Sequence, residues 1–340
     1  MKTSDFDYIL PKNLIAQTPV EPRDCSRLLV YDRASDVIEH RSFRDIKKYL
    51  KPGDVLVRNN TKVLPARMFA KTENGGVVEV LLLKRFDLCE WEVLVKPGKK
   101  AKPGVHLTIN EDLSLDIVSV IEEAGSRRVR FNFDGVFEDI ISKIGEMPLP
   151  PYITQKLENQ DRYQTVYAEK SGSAAAPTAG LHFTPELLEE IRTMGVQIVD
   201  ILLHVGLGTF RPVKVDDVSA HHMHSEYYEI DGYAAETINK AKREGRRIIA
   251  VGTTTVRTLE SACDQAGFVK ESKGDTDIFI YPPYRFKCVN ALITNFHLPK
   301  STLLMLVSAL TGRGKMLEIY DVAVKEQYRF FSFGDAMLIL

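Results

Sequence analysis

Between residues 67 and 145 the sequence changes texture, and this change limits the possible folds more than any other feature. Five runs, 77–83, 91–95, 105–109, 115–121 and 128–133, are β-branched or alternate apolar with polar residues. That is the pattern of strands with one buried face. They are separated by turn signals such as Asn74-Gly75-Gly76, Lys96-Pro97-Gly98 and Glu123-Ala124-Gly125. Five short strands with no helical pattern between them predict a compact all-β barrel. Helix-rich sequence lies on both sides, so the segment reads as an insertion: residues 67–145 form an all-β domain inside a main domain of 1–66 and 146–340. A chain of 340 residues is long enough for two domains at roughly 100–200 residues each.

The flanking sequence mixes strands and helices. Residues 27–32 and 54–58 read as buried strands, the second followed by a polar loop at Asn59-Asn60-Thr61. Helical spacing is predicted over 7–11 and over 43–50, the latter ending at Pro52-Gly53. Thr184-Pro185-Glu186 is a helix start: threonine caps, proline fits the first turn, and the acid faces the positive end of the dipole. Strands are expected at 196–205, 247–251 and 290–294, and helices at 234–244, 256–265 and 301–310, with Ser301 as a cap.

The formal net charge is −1, so any nucleic-acid contact must come from local basic patches. Cys25, Cys89, Cys263 and Cys288 have no paired metal-ligand spacing and read as reduced thiols of a cytoplasmic protein. The longest apolar run, 303–310, is far short of the about 20 residues that cross a bilayer.

Several segments carry candidate chemistry. Ser171 to Thr184 packs glycines, serines and alanines directly before a capped helix. Small residues let backbone approach a ligand, and a helix N-terminus favours an anion or carboxylate; a tight loop packed on the core is the equal alternative. Ile248 to Thr258 places Gly252, Thr253, Thr254 and Thr255 at the carboxyl end of a strand, where ligands usually bind. It lacks the Gly-Lys-Ser/Thr ending of a phosphate loop. His204-Val-Gly-Leu-Gly-Thr-Phe-Arg211 contains Gly-x-Gly, yet Arg211 stands where a dinucleotide fingerprint needs its third glycine, so that reading is rejected.

Six of the eight histidines fall between 182 and 297, but no His-Glu-x-x-His spacing accompanies them. Neutral imidazoles acting as acid or base fit better than a metal site. Lys96, Lys99, Lys100 and Lys102, followed by Arg128, form either a solvated turn or a phosphate-backbone contact. Tyr284 and Arg285 sit in an aromatic–arginine cluster able to stack on bases.

Taken in order, these segments resemble the S-adenosylmethionine:tRNA ribosyltransferase-isomerase family of queuosine biosynthesis. The similarity runs through Ser26-Arg-Leu-Leu-Val30, Asn59-Asn-Thr61 to Pro65-Ala-Arg67, Pro148-Leu-Pro-Pro-Tyr-Ile153 and Asp161-Arg-Tyr-Gln-Thr-Val-Tyr167. It continues in Ala176-Pro-Thr-Ala-Gly-Leu-His-Phe-Thr184, His204 to Arg211, His224-Ser-Glu226 and Gly252-Thr-Thr-Thr-Val-Arg257. Asn295-Phe-His-Leu-Pro299 and Phe331-Ser-Phe-Gly-Asp-Ala-Met337 complete it.

The resemblance implies an α+β, mainly β fold: a β-barrel main domain with flanking helices and a smaller inserted antiparallel β-barrel. It implies transfer of the ribosyl part of S-adenosylmethionine to 7-aminomethyl-7-deazaguanine at the tRNA wobble position. The ribosyl isomerises to give epoxyqueuosine, and adenine and methionine leave. The sulfonium acidifies the ribose 5′ hydrogens, the aminomethyl nitrogen must be deprotonated, and adenine needs a proton or hydrogen bond as it departs. These steps call for two or three titratable groups in a dry pocket and for no metal or redox cofactor.

The residues expected to act are His182, His204 and His297 as acids or bases, with Glu226 or Asp335 orienting one of them. Ala176, Thr178, Gly180 and Thr253 to Thr255 are expected to line the S-adenosylmethionine site. Arg211 and Arg257 are expected to hold its carboxylate or an RNA phosphate. Lys96, Lys99, Lys100, Lys102, Arg128, Tyr284 and Arg285 are expected to meet the tRNA. The chain is expected to act as a cytoplasmic monomer without a membrane partner. The competing readings are a metal-dependent hydrolase built on the histidines from His182 to His297, and a non-catalytic RNA-binding module.

Overall fold

Strand runs that are apolar at every position, such as 248–251, have to be buried on both faces. In the computed structural model, which describes residues 1–122, 125–155, 157–206, 213 and 215–340, they lie at the centre of a nine-stranded mixed sheet. Its order is Ser272–Thr276, Glu226–Ile230, Gln197–Leu203, Val55–Asn59, Ile248–Val251, Ala291–Asn295, Ala336–Ile339, Arg27–Asp32 and Val37–Ser42. The four strands from Gln197–Leu203 to Ala291–Asn295 are mutually parallel. Ala336–Ile339 runs against them, and Arg27–Asp32 pairs parallel with Ala336–Ile339.

Successive side chains of a strand point to opposite faces, and the two cores divide accordingly. Val55, Val57, Ile248, Ala250 and Leu292 join one core with the helices Gly232–Arg243, Thr253–Ala262, Thr302–Thr311 and Arg313–Lys325. Leu56, Ile249, Val251 and Ile293 join the other with Phe43, Ile46 and the helix Pro185–Thr193. The sheet is thus covered on both sides. Two helix starts match their sequence signals: the Thr184 and Ser301 side chains accept the backbone N–H of Leu187 and Leu304, both at 3.1 Å.

This sheet and its helices form one compact unit, made of Met1–Lys62, Pro151–Lys170 and Ala176–Leu340. A second unit comprises Val63–Pro150 and Ser171–Ala175. It holds a closed barrel in the order Ser126–Phe133, Glu90–Lys96, Val77–Arg85, Arg67–Lys71, His106–Thr108, Leu113–Ile121. Met68, Val78, Val80, Val93, Leu115 and Val129 fill its interior, and the helix Phe137–Ile144 adds Phe137 and Ile141 to that core.

The expected α+β class and the inserted antiparallel barrel are both present. Closure belongs to the smaller unit. Among the described residues, the larger unit's nine strands run in linear order rather than as a ring. Other differences are local. The barrel gains the strand Arg67–Lys71 and the helix Phe137–Ile144, neither of which was expected. Residues 7–11 are not helical; Pro11 lacks an N–H and disfavours helical geometry at the residue before it.

The loop at 176–182 shows why it must be small. A Cβ on Gly180 would lie 2.0 Å from the Tyr167 hydroxyl and 2.9 Å from Thr165 Cγ2. That hydroxyl is buried without a hydrogen-bond partner among the described residues. Gly180→Ala is therefore expected to destabilise the chain by about 1–3 kcal/mol through overpacking. Tyr167→Phe, which removes an unsatisfied hydroxyl, should be close to neutral and should recover part of the loss in the double variant, since the 2.9 Å approaches to Thr165 Cγ2 and Tyr167 Cζ remain. Urea midpoints of the three proteins check this.

Candidate active site

Because the four central strands are parallel, they deliver their carboxyl ends to one edge, the usual ligand position in such sheets. There Gln197–Leu203 leads into His204, Val55–Asn59 into Asn60-Thr61, Ile248–Val251 into Gly252, and Ala291–Asn295 into Phe296-His297. Ala336–Ile339, running the other way, starts at this edge with Asp335 before it. Arg27–Asp32 likewise starts there, preceded by Ser26.

A cleft opens at this edge. Ala176 to Ala179 line it on one side, Gly252 to Thr254 on another, and Thr294 to Leu298 on a third; Tyr152, Phe331 and Ser332 complete the wall. Gly252 has φ +88°, a left-handed conformation that glycine adopts without strain. It turns the chain straight from strand into the helix Thr253–Ala262, whose N-terminal N–H groups then face the cleft.

Asn295 is the polar hub. Its Oδ1 accepts from Thr178 Oγ1 at 2.8 Å, and its Nδ2 donates to the Phe331 carbonyl at 3.4 Å. The same Nδ2 lies 3.2 Å from His182 Nε2. With the amide so oriented, His182 Nε2 is the acceptor, and its Nδ1–H is left to donate to Ser26 Oγ at 2.8 Å. Both ring nitrogens of His182 are engaged, and its ring stacks on Phe43. Burial first, and then the charges of Arg329 and Arg23, push its pKa down to about 3. His182 thus stands behind the cleft wall as a neutral support for Asn295.

His297 lies on the wall itself. Its Nε2 is 2.8 Å from Thr294 Oγ1. Two tyrosines fix its backbone: its N–H donates to Tyr320 OH at 2.9 Å, and its carbonyl accepts from Tyr8 OH at 2.5 Å. Burial pushes its pKa to about 3. On the other flank, Asn59 bonds the Leu203 backbone twice, accepting its N–H at 3.0 Å and donating to its carbonyl at 2.9 Å. Thr61 Oγ1 holds His204 Nδ1 at 2.9 Å, and burial lowers the His204 pKa.

Several expected site residues have other work. Thr253 and Thr254 line the cleft, but Thr255 is fully buried and donates to the Val251 carbonyl at 2.8 Å. Gly180 packs against Tyr167 rather than lining the cleft. Arg257 and Glu226 are both buried and ion-paired to each other. Glu226 also accepts the Gly206 N–H at 2.8 Å, so Arg257 is not a free clamp for a substrate carboxylate. Asp335 accepts the backbone N–H groups of Arg27 at 2.9 Å and Arg329 at 2.8 Å. It staples backbone rather than orienting a histidine, and burial raises its pKa. Arg211 lies outside the described residues.

Of the expected RNA contacts, Lys96, Lys99, Lys100 and Lys102 are exposed on the barrel unit. Arg128 Nε donates to Glu90 at 2.6 Å. Arg285 is exposed, while the Tyr284 hydroxyl donates to the buried Glu260 at 3.0 Å. The histidines do not gather: among the described residues no three His, Cys, Asp or Glu side chains converge as a metal site. Asn59, Asn295, Tyr152 and Ser332 lie in segments that carry the family resemblance but were assigned no role at the site. For Asn59 and Asn295 the available signal was an amide at the end of a strand; Tyr152 and Ser332 had no local signal.

An open parallel edge carrying a small-residue cleft is the arrangement at which α/β enzymes usually bind their ligands. The chain belongs to the queuosine biosynthesis protein family, whose model matches residues 3–339. It is 59% identical to the S-adenosylmethionine:tRNA ribosyltransferase-isomerase of Symbiobacterium thermophilum, over 100% of both chains. With the protein of that name from Carboxydothermus hydrogenoformans it shares 58%, again over 100% of each. The crystal structure of S-adenosylmethionine tRNA ribosyltransferase from Thermotoga maritima is similar at 44% identity and TM-score 0.58, covering 99% of this chain and 100% of that one.

The buried histidines fix a pH signature. His182 and His297 titrate near 3 in the fold and near 6.5 when unfolded. Their depressed values mean the unfolded chain takes up protons that the native state refuses. Their contribution to stability is complete above about pH 6.5 and is lost as pH falls toward 3. Each should add a slope of up to about 1.4 kcal/mol per pH unit in that window. Chemical denaturation between pH 7.5 and 4.5 should show His182→Gln with a shallower slope than the parent; equal slopes would contradict a neutral buried His182.

Proposed function

We propose that this chain transfers and isomerises the ribosyl moiety of S-adenosylmethionine onto 7-aminomethyl-7-deazaguanine at the wobble position of a tRNA. Epoxyqueuosine is formed, with release of adenine and methionine. The observation that carries the reading is full-length identity of 57–59% to relatives bearing that enzyme's name, together with a small-residue cleft at the parallel edge. S-adenosylmethionine is the co-substrate, and tRNA carrying the precursor base is the partner. No helix among the described residues is long and apolar enough to cross a membrane, and a tRNA substrate is met in the cytoplasm.

The chain's groups suit the three proton problems of this reaction. Ala176, Ala179 and Gly252 let a flat ring system approach backbone closely. The N-terminus of the Thr253–Ala262 helix suits the co-substrate carboxylate. Thr178, Thr253 and Thr254 supply hydroxyls for the ribose, those of Thr178 and Thr254 already held by Asn295 and Asn59. His297, neutral at working pH and with Nε2 held by Thr294, has Nδ1 left for a substrate and is the group we assign to proton transfer at the ribose or at departing adenine. His204 at the same edge is the second candidate. His182 acts through Asn295 as a positioning residue. The reaction breaks the carbon–sulfur bond to methionine and the carbon–nitrogen bond to adenine, forms a carbon–nitrogen bond to the aminomethyl group as the ribosyl carbons rearrange, and moves protons without net electron transfer. On the barrel unit, Lys96, Lys99, Lys100, Lys102 and Arg128 suit phosphate contacts, as does Arg285 on the larger unit.

Incubation with S-adenosylmethionine and tRNA carrying the aminomethyl base should release adenine and yield an epoxide nucleoside; a folded protein yielding neither would overturn the reading. His297→Ala should lower turnover by about 10²–10⁴-fold with its unfolding transition retained.

A further inference from the structure

Beside the cleft lies a small hollow that the reaction chemistry leaves unused. It is lined by Pro19, Val20, Arg23, Arg162, His182 and Ser332, among others. Ser332 also lines the cleft, so the two cavities share a wall. Arg23 donates to the carbonyls of Gln164 at 2.7 Å and Asp161 at 3.1 Å. Arg162 donates to the Val20 carbonyl at 2.7 Å. Close by, Arg329 donates to the carbonyls of Thr18 at 3.1 Å and Phe333 at 2.6 Å.

Carbonyls fix these guanidiniums in place. Among the described residues no carboxylate comes within 4.0 Å of Arg23 or Arg329. Among the same residues the only acid paired with Arg162 is Glu21, at 3.1 Å, and its side chain is 73% exposed. Such a surface pair is weak and easily exchanged. Burial first and the like charge of Arg162 second lower the Arg23 pKa, only partly offset by the nearby Glu21 and Asp161, so the two cations still repel each other in a partly desolvated place. An anion set between them would relieve that repulsion and fill the free fork positions with charge-assisted hydrogen bonds.

We propose that the Arg23–Arg162 hollow binds a phosphodiester of the RNA strand whose base enters the neighbouring cleft. This rests on the tRNA reading above. A polymer with one charge per nucleotide can occupy a cleft and an adjoining hollow together. The methionine end of S-adenosylmethionine carries an ammonium and a sulfonium beside its carboxylate, and a cluster of guanidiniums repels both. Glu21, the exposed acid on Arg162, marks the place that the phosphate takes.

The test measures anisotropy of a labelled anticodon stem-loop against the whole chain over a range of salt. Arg162→Gln should bind about tenfold more weakly. Its slope of log K against log salt should be shallower by about 0.7–0.9 for each phosphate that the variant no longer neutralises. Glu21→Gln should bind severalfold more tightly, a change that misfolding cannot imitate. The KM for S-adenosylmethionine should not move in either variant. Unchanged affinity and slope in both variants would overturn the proposal. So would a raised KM for S-adenosylmethionine with RNA binding intact, since the hollow would then hold the co-substrate carboxylate. Failure of the unaltered chain to bind the stem-loop would instead overturn the tRNA reading, and the proposal with it.

Discussion

The side-chain amide of Asn295 is the interaction on which the cleft depends. It ends a fully buried strand, where an unpaired amide would cost about 1–3 kcal/mol, and it meets that demand by joining two segments distant in sequence. Thr178 and His182 are the two ends of one short turn in the small-residue loop, and Phe331 belongs to the segment entering the last strand. Removing the amide would leave each of these walls without its anchor. Asn59 does the equivalent at the neighbouring strand ends, where its amide takes the place of strand pairing for Leu203.

Around these amides the site is kept electrically quiet. The two innermost histidines are neutral through burial. The one buried ion pair near the edge among the described residues, Arg257 with Glu226, satisfies itself. Such a pair is a structural commitment, because removing one partner leaves a buried charge uncompensated. Guanidiniums without a close carboxylate among the described residues lie instead beside the cleft, at Arg23 and Arg329, next to Arg162 with its exposed partner Glu21. That arrangement suits a reaction in which a cationic co-substrate must enter a dry cleft while a polyanionic one stays outside it and presents a single base.

Much of the scaffold could be read from local pattern. The strand Arg27–Asp32 and the caps Thr184 and Ser301 stand where sequence placed them, because capping and alternation are decided within a few residues. The barrel was visible for the same reason. The loop before His182 was recognised as small, though one of its glycines serves Tyr167 rather than a ligand. What stayed hidden depends on partners far along the chain. Asn59-Asn60-Thr61 looked like a polar loop, yet all three are buried, since their partners come from residues 169–204 and from Thr254. The helix at Thr253 begins three residues earlier than propensity suggests, because tertiary burial outweighs the weak helical preference of threonine. Glu226 and Asp335 were plausible orienting acids by type, but a sequence shows a carboxylate without showing what it bonds.

The central claim is that the parallel edge, with Asn295 at its hub, is the co-substrate site. A crystal structure with S-adenosylhomocysteine, a non-reacting analogue of the co-substrate, tests it most directly. The ligand should lie between Ala176–Ala179, Gly252–Thr254 and Asn295–Leu298, with its carboxylate toward the N-terminus of the helix Thr253–Ala262 and Asn295 keeping its bond to His182. Density for the analogue on another face of the larger unit, with this cleft unchanged, would contradict the account.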